Sequence, residues 1–477
     1  MSSRVRRRRK RSKRSRSQHH SIESSIGSSI DYRPAYPGGG SIMAWLRPYA
    51  KSRPSYLLGI TAGVLAAGLW AVIVVWPYLF GSGRYVDIIV ADDTDGGDGF
   101  GSSVALSENW LAVGAFRDSD VFKRAGAVYV ARRSGAQVDQ FQKLVGPNPR
   151  LGDQAGFSVA MDDRWLAVGR VGQFGKLAAE SNTEGSVDVY TLGSAGWLLH
   201  ATLVRPGGMR NDRFGFSTAI SGDWLAVGAR GADDDRGAVV IYRLSELGAG
   251  NTDPYQVVKA PTPNMGDRFG EAVAITGRML VVGAPGSTVD DKINAAGLTH
   301  VFRLAADEQA WFPEGDPIQA SVPDVGAKFG VSVATDGEHL LVGASHWRAG
   351  VREGSLWASA RDSGTGRFGP MENIPVPTTS FGDMDGFRVT IDGAVAIASA
   401  HLADARGQDS GNVILLNRTA DGWSYAGRRA PIDGNRNDHY GIALAMKEDM
   451  FVVGAEMADA SGRKSGGIYL ESLPTLP

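Results

Sequence analysis

A glycine recurs in this chain at intervals of 55–60 residues, and each copy is followed thirteen positions later by a second small residue. The recurring glycines are Gly101, Gly156, Gly215, Gly270, Gly330, Gly386 and Gly441. Their partners are Gly114, Gly169, Gly228, Gly283, Gly343, Ser399 and Gly454. Seven copies of a unit this long predict an array built from one repeated supersecondary structure.

Each unit has the pattern of four short strands. Residues 214–220 alternate in polarity, residues 221–223 suit a tight turn, and residues 224–229 are an apolar run ending in Gly-Ala, which together predict a hairpin. After a variable segment, a glycine followed by β-branched and aromatic residues predicts a third strand, as in residues 237–242. A weaker run such as residues 255–258 predicts a fourth. The fold class is therefore all-β, a seven-bladed β-propeller of four-stranded antiparallel blades.

The ends of the array predict how such a ring closes. The last unit stops after its third strand, at residues 467–470, whereas residues 85–90 precede the first unit and look like an unpaired fourth strand. Val90 lies eleven residues before Gly101, as Val145 does before Gly156. We expect residues 85–90 to pair with the last blade and close a propeller spanning residues 84–477.

The repeated pairs resemble the FG-GAP repeats of the integrin α-subunit propeller and of its membrane-attached or secreted relatives. The residues that carry the resemblance are Phe100, Phe214, Phe269, Phe329 and the related Tyr440, each before its glycine, together with the Gly-Ala pairs. Ala155 and Asp385 stand where phenylalanine is expected in two units. The resemblance specifies a fold more than a function, because one propeller fold hosts many activities.

The same resemblance implies calcium sites that this sequence does not match. Integrin-type propellers bind Ca²⁺ through DxDxDG-like loops in the first hairpin of some blades, but the thirteen-residue spacing here leaves no room for such loops. The nearest alternatives, residues 92–96 and 233–235, lie elsewhere in the unit. No cofactor is expected, and a metal site stays unassigned.

Residues 56–80 carry no charge and are long enough to cross a bilayer as a transmembrane helix. Trp70, Trp76, Tyr78 and Phe80 gather toward its end, as in an interfacial belt. Two other interpretations of this run fit less well. A buried core helix is not expected in a propeller, and a cleaved signal peptide is shorter than this apolar run and is not preceded by 55 residues. Gly59 and Gly63 form a GxxxG pair, a pattern through which two such helices could associate as a homodimer.

Residues 1–55 form a basic, Ser-rich tail that is expected to be disordered. The first 54 residues carry 14 Lys or Arg against 2 acidic residues, a net charge of +12, so the remaining 36 basic and 49 acidic residues give −13. Basic residues flanking a span predict a cytoplasmic N-terminus, which places the propeller in an extracellular, lumenal or periplasmic space. An anionic-lipid patch, a nucleic-acid or nuclear-import arm and a transit peptide are the other interpretations of the tail; a nucleic-acid partner is not expected.

No catalytic motif occurs, so enzymatic activity is not expected. The chain has no Cys, which excludes thiol catalysis, and its eight His are spread over the tail and separate units. An aspartate lies three residues before the repeated glycine in six units, and its side chain is expected to fix the turn into the first strand rather than to bind a cation. These residues are Asp98, Asp153, Asp212, Asp267, Asp383 and Asp438.

The loops between the second and third strands vary most and emerge on one face of a propeller, which is the usual design of a recognition surface. The candidate binding residues on these loops are Arg117, Asp118, Asp233, Asp234, His346, Trp347, Arg348 and His401. We therefore expect a membrane-anchored, non-catalytic propeller that binds a protein or glycan partner in adhesion, reception or assembly. A structural subunit of a membrane complex is one alternative. A hydrolase or lyase with its site at the mouth of the central channel is another, which converging His, Glu and Arg side chains would favour.

Overall fold

The structure of the protein is a computed structural model that describes residues 87–172, 184–248, 250–348, 351–377, 383–420 and 422–473. Within these ranges the fold is the predicted all-β, seven-bladed propeller of four-stranded antiparallel blades. All of the described residues belong to one compact unit, residues 84–477.

The blades follow one another along the chain. The first contains β1 (Ser103–Leu106), β2 (Trp110–Ala115), β3 (Ala127–Ser134), the two-residue β4 (Gln137–Val138) and β5 (Gln142–Leu144). The second contains β6 (Ala155–Met161), β7 (Trp165–Arg170), β8 (Ser186–Gly193) and β9 (Gly196–Leu203). The third contains β10 (Phe214–Ser221), β11 (Trp224–Ala229), β12 (Ala238–Arg243) and β13 (Gln256–Val258).

The fourth blade contains β14 (Ala272–Thr276), β15 (Met279–Ala284), β16 (Leu298–Leu304) and β17 (Trp311–Pro313). The fifth contains β18 (Phe329–Thr335), β19 (His339–Arg348), β20 (Val351–Ala360) and β21 (Glu372–Ile374). The sixth contains β22 (Val389–Asp392), β23 (Val395–Ala400), β24 (Asn412–Thr419) and β25 (Gly422–Arg429). The seventh contains β26 (Ala443–Lys447), β27 (Met450–Gly454) and β28 (Ile468–Ser472). A helical turn, Ala232–Asp235, and a 3-10 turn, Leu244–Glu246, lie in the third blade.

The first strands of the seven blades contact one another in a closed ring and so line the central channel. Because neighbouring strands in a blade are antiparallel, the connections from first to second and from third to fourth strand emerge on one face, the hairpin face. The connections from second to third strand and from blade to blade emerge on the opposite face, the loop face. The core lies between blades: in one cluster, Val187 and Val189 of the second blade pack with Leu225 and Val240 of the third.

A backbone contact between blades explains one of the recurring glycines. A glycine that lies before the third strand, or inside it in the fifth blade, meets the residue before the Phe-Gly-type glycine of the next blade, and an added Cβ atom would lie 1.9–2.3 Å from that residue's carbonyl oxygen. The seven glycines are Gly126, Gly185, Gly237, Gly297, Gly354, Gly411 and Gly466. Gly466 makes this contact with Phe100 of the first blade, so the ring closes through the same interaction that joins its other blades.

A second contact explains the thirteen-residue pair. A Cβ atom at Gly228 would lie 2.2 Å from the carbonyl oxygen of Gly270, so the Gly-Ala glycine of one blade packs on the Phe-Gly glycine of the next. Ser217, two residues after Gly215, donates a hydrogen bond of 2.8 Å from its hydroxyl to the same carbonyl. The equivalent bonds of the first, second and fifth blades measure 2.7, 2.8 and 2.7 Å, and their donors are Ser103, Ser158 and Ser332.

In the second blade, charged side chains take the place of a pair of aromatic rings that pack together in the first blade. In the first blade Phe100 packs on Tyr129 with ring centroids 5.2 Å apart, whereas the corresponding positions of the second blade hold Ala155 and Asp188. Arg170 fills this region, paired with Asp153 and at 3.2 Å with Asp188, whose other oxygen accepts a 2.8 Å bond from a threonine hydroxyl. Burial of both partners is tolerated because each carboxylate is paired and hydrogen-bonded.

The segment before the first blade also reaches the last one. Ile89 donates a 2.8 Å hydrogen bond to the carbonyl of Ile468 and accepts one of 3.0 Å from its N–H, as an antiparallel bridge. This bridge supports our proposal that residues 85–90 complete the seventh blade.

None of the helices among the described residues is long and apolar enough to cross a membrane. The span predicted at residues 56–80 and the tail at residues 1–55 lie outside the described ranges.

Replacing Gly228 by Ala should destabilise the protein by about 3 kcal/mol, because the new methyl group overlaps a carbonyl oxygen of the next blade. Denaturant unfolding measures the change. Gly369→Ala is the matched control, since its Cβ atom would lie 3.7 Å from the nearest atom, and it should change stability by no more than about 0.5 kcal/mol. Equal stability of the two variants would show that the blades adjust and that the contact is not restrictive.

Replacing Ile89 by Pro should lower the free energy of unfolding by about 2 kcal/mol, because proline cannot donate the bond to Ile468. Asp92→Pro is the control: it stands at the second position of the 91–94 turn, where proline is tolerated. If both variants melt at the same temperature, residues 85–90 do not close the last blade.

Candidate functional site at the channel mouth and on the loop face

Two positions of the repeat bring side chains to the loop-face mouth of the channel. One is the residue directly after the Phe-Gly-type glycine, at the start of the first strand. The other is the second residue after the Gly-Ala glycine, where the second strand of the preceding blade ends. The two positions are neighbours across each blade interface, because the glycines themselves are in contact there. Every interface therefore contributes two variable side chains to the mouth.

On one side of the mouth, ionisable side chains at and beside these positions contact one another. His401 of the sixth blade packs on Phe387, with ring centroids 4.2 Å apart, and lies 6.0 Å from the ring of His439. The Nδ1 atom of His439 is 4.0 Å from Oε1 of Glu456, and that carboxylate accepts bonds of 3.2 Å from Arg117 of the first blade.

On the other side of the mouth, the chain of side-chain contacts continues through aromatic rings. The guanidinium of Arg117 lies over the ring of Phe116, which meets Phe157 at 5.7 Å, and Phe157 meets Phe216 at 5.1 Å. Arg230 lies 4.0 Å from the centroid of Phe216 and donates a 2.6 Å bond to Glu271 of the fourth blade. We call the whole series from Phe387 to Glu271 the mouth belt. It passes through six of the seven blades.

Half-buried arginines in and beside the mouth belt dominate its electrostatics. Burial and the nearby charges of Arg230 and Arg268 lower the pKa of the Arg213 guanidinium. Burial by itself would raise the pKa of Glu456, but the neighbouring His439 and Arg117 outweigh burial and lower it. Glu456 is therefore a charged carboxylate at neutral pH, held between a histidine and an arginine. Such a set suits the binding of a polar ligand and, through His439, proton transfer.

The repeated aspartates form a structural turn beside the mouth. Asp98, Asp153, Asp212, Asp267 and Asp438 each accept, at 2.6–2.8 Å, the N–H of the residue three positions earlier. Their backbone carbonyls accept bonds of 3.0–3.3 Å from residues just after the second strand of the same blade. Each aspartate thereby ties the entry of the first strand to the end of the second. Asp383 is also buried.

The two candidate binding residues in the loop of the first blade have different surroundings. Arg117 belongs to the mouth belt, as described above. Asp118 is 2% exposed; it pairs with Lys143 at 2.7 Å and accepts a 3.1 Å bond from the Tyr129 hydroxyl, so its carboxylate is used inside the blade. Of the other candidates, His401 is also part of the mouth belt and is nearly buried.

Asp233 and Asp234 lie at an open pocket of about 640 Å³ on the third blade. Both have positive φ values, 54° and 60°. Asp233 pairs with Lys259 at 2.5 Å, and this bond lowers the pKa of its carboxyl group. Two methionines line the same pocket, Met209 and Met265, whose side chains are 70% and 69% exposed.

His346, Trp347 and Arg348 were expected in a loop, but their backbone continues β19. The strand pairs residue by residue with β20, as far as Arg348 opposite Val351. Cross-strand pairing therefore extends this hairpin beyond the others on the loop face. The side chains of these three residues lie outside the described part of the structure.

Sequence reasoning missed the mouth belt because its members come from six different units. His401 and His439 are 38 positions apart in the chain and looked scattered, yet neighbouring blades bring them together. One signal was present when the seven units are aligned. In four of them the residue directly after the Phe-Gly-type glycine is aromatic or acidic: Phe157, Phe216, Glu271 and Phe387. In the described ranges, no group of three or more His, Asp or Glu is arranged to hold a metal ion.

The comparison with known families agrees with this fold. The model of the FG-GAP repeat matches the chain in four places, at residues 85–131, 197–242, 258–302 and 423–470. Together with the seven blades, these matches fit an integrin α-like FG-GAP propeller, which confirms the resemblance inferred from the sequence. No curated protein matches the chain. Propellers of this type are typically non-enzymatic.

The ionisation of Asp98 should make stability depend on pH. Burial raises the pKa of its carboxyl group to about 6, from 3.8 in the unfolded chain. The folded protein then binds this proton more tightly, so stability falls as pH rises from about 4 to 6, by about 3 kcal/mol for this group. Asp98→Asn keeps an oxygen for the Asp95 N–H and should remove that part of the fall, as measured by denaturant unfolding at pH 4 and pH 7.

The control for this prediction is Asp234→Asn, since the Asp234 side chain is 79% exposed and loses the same formal charge. It should leave the pH dependence of stability as it is in the parent protein. A slope that is unchanged in Asp98→Asn would contradict the assignment.

Proposed function

We propose that this protein is a membrane-anchored, non-catalytic β-propeller that binds a protein or glycan partner through its loop face. The FG-GAP propeller fold is compatible with such a role. The observation that carries the proposal is the one-sided distribution of exposed apolar side chains, described next.

Within the described ranges, twelve large hydrophobic residues are exposed, and eight of them lie in connections on the loop face. These eight are Val121, Phe122, Val204, Met209, Met265, Val322, Val325 and Ile432. The other four lie on outer strands, which leaves none in a hairpin-face connection. Single exposed hydrophobic residues are normal, but here all those that lie in connections share one face, which is the pattern of an interaction surface.

The third blade is the centre of this surface in our proposal. Its pocket combines Met209 and Met265 with Asp233 and Asp234, so an adaptable apolar contact adjoins fixed carboxylates. Flexible methionines suit a protein partner, because they repack against varied side chains. Trp347 and Arg348, on the long hairpin of the fifth blade, are the further contacts that we propose, since these residue types are enriched among interface hot spots.

The anchoring part of the proposal rests on the sequence. The uncharged run at residues 56–80 and the net charge of +12 before it support a single span with a cytoplasmic N-terminus. The propeller then lies in an extracellular, lumenal or periplasmic space. The four residues between Phe80 and residue 85 reach at most about 14 Å, which keeps the propeller close to the bilayer and favours a partner that is large or in the same membrane.

The test is a pair of double variants of the full chain. Met209→Lys with Met265→Lys alters the loop face, and Leu198→Lys with Phe312→Lys makes the same change on outer strands. Partner cross-linked to the protein in its own membrane is quantified by mass spectrometry. The loop-face variant should capture at least about tenfold less partner at unchanged melting temperature, while the control captures the normal amount. Equal capture by both variants would reject the loop face as the interface.

Two other functions make different predictions for the same proteins. A structural subunit of a membrane complex would co-purify with fixed partners in a constant ratio. A hydrolase or lyase at the channel mouth is favoured by one observation, the convergence of His401, His439, Glu456 and Arg117. A turnover that His439→Asn abolishes and the loop-face variant retains would support the enzyme.

A further inference from the structure

We propose that the channel mouth contains a binding site for a small organic anion, whose oxyanion head pairs with the guanidinium of Arg388 and whose apolar body packs beside the neighbouring ring of Phe387. This site is separate from the loop-face interface and does not depend on it.

The first step is the position of Arg388 in the repeat. It stands two residues after Gly386, where four other blades carry the serine that donates to the carbonyl of the next blade. An arginine at this position cannot reproduce that short contact. Its guanidinium instead donates a 3.1 Å bond to the carbonyl of Phe387 and lies 4.3 Å from the centroid of that residue's ring. The sixth blade has thus exchanged a structural hydroxyl for a cation at the mouth belt.

The second step is that this cation has no carboxylate. In the described part of the chain, no Asp or Glu oxygen lies within 4.0 Å of Arg388. The two carboxylates whose charges reach it, Glu271 and Glu456, are already bonded to Arg230 at 2.6 Å and to Arg117 at 3.2 Å. A buried or half-buried charge is normally paired, so Arg388 departs from the other arginines of the mouth belt.

The third step is the environment. Burial lowers the pKa of the Arg388 guanidinium, although its side chain is still reached by solvent. The carboxylates whose charges act on Arg388 are Glu271 and Glu456, and each of them is already bonded to another arginine. A partly desolvated guanidinium without a carboxylate of its own attracts an anion to this point.

The fourth step concerns the class of ligand. A guanidinium presents parallel N–H groups that match a carboxylate or phosphate group. Phe387 lies directly beside the guanidinium and supplies apolar surface for the rest of the ligand. A bare inorganic ion would make no use of that surface, so the site suits an organic anion better than phosphate alone.

The experiment measures binding of benzoate, benzamide and inorganic phosphate to the full chain by calorimetry, at constant ionic strength. Benzoate should bind saturably with a Kd of about 1 mM or lower, phosphate should bind at least about tenfold more weakly, and the neutral benzamide should not bind. Phosphate binding as tightly as benzoate, or no saturation by benzoate at about 10 mM, would overturn the proposal.

Three variants locate the site. Arg388→Ser restores the residue of the other blades, so it should fold with an unchanged melting temperature and lose benzoate binding by at least about tenfold. Arg388→Lys keeps the positive charge, so it should weaken binding less than Arg388→Ser does. It should still weaken binding relative to the parent protein, because an ammonium group lacks the parallel N–H groups of a guanidinium. Arg164→Ser, in a hairpin-face turn, removes one positive charge elsewhere and should bind benzoate normally.

Normal benzoate binding by Arg388→Ser, or by both Arg388 variants if the serine variant melts early, would show that Arg388 is a structural residue and not a ligand contact. The double variant Met209→Lys, Met265→Lys should bind benzoate as the parent protein does. Its behaviour separates failure of this proposal from failure of the loop-face interface.

Discussion

The propeller depends on close approach of backbone atoms between neighbouring blades. At each interface a glycine with no side chain lies against a carbonyl of the next blade, in a space too small for any Cβ atom. The contact recurs seven times, and its last copy, Gly466 on Phe100, closes the ring. Because closure uses the same interaction as every other interface, the first and last blades need no special adaptation to meet, and the bridge at Ile89 adds to a ring that is already joined.

This constraint also decides where variation is tolerated. The positions at the close backbone contacts between blades hold glycine, apart from Ser399 of the sixth blade, so chemically varied side chains lie mainly at the ends of the inner strands and in the connections. The inner ends converge on the channel, and the connections form the loop face. One repeat therefore creates two distinct surfaces: a small polar and aromatic mouth, and a broad rim with exposed methionine, valine and phenylalanine side chains.

Departures from the repeat mark the places where the blades differ physically. The second blade loses its phenylalanine and holds Arg170 between two aspartates. In the sixth blade Asp385 stands in place of the phenylalanine and pairs with Arg428 at 3.0 Å. Arg388 stands in place of the inner-strand serine. In the second blade an aromatic core pair has become a paired ion network, whereas the guanidinium of Arg388 lies over the ring of Phe387.

The sequence determined the blade number, the strand order, the two faces and the identity of the repeat, because glycine spacing and strand periodicity are local properties that recur in register. It could not show that His401 meets His439 or that Asp118 is buried under Lys143, since these contacts join residues of different strands or blades. Pairing also turned the expected loop at residues 346–348 into strand. Only the tertiary structure decided which side chains meet at the channel mouth, because the closing of the ring sets those distances and no sequence interval does.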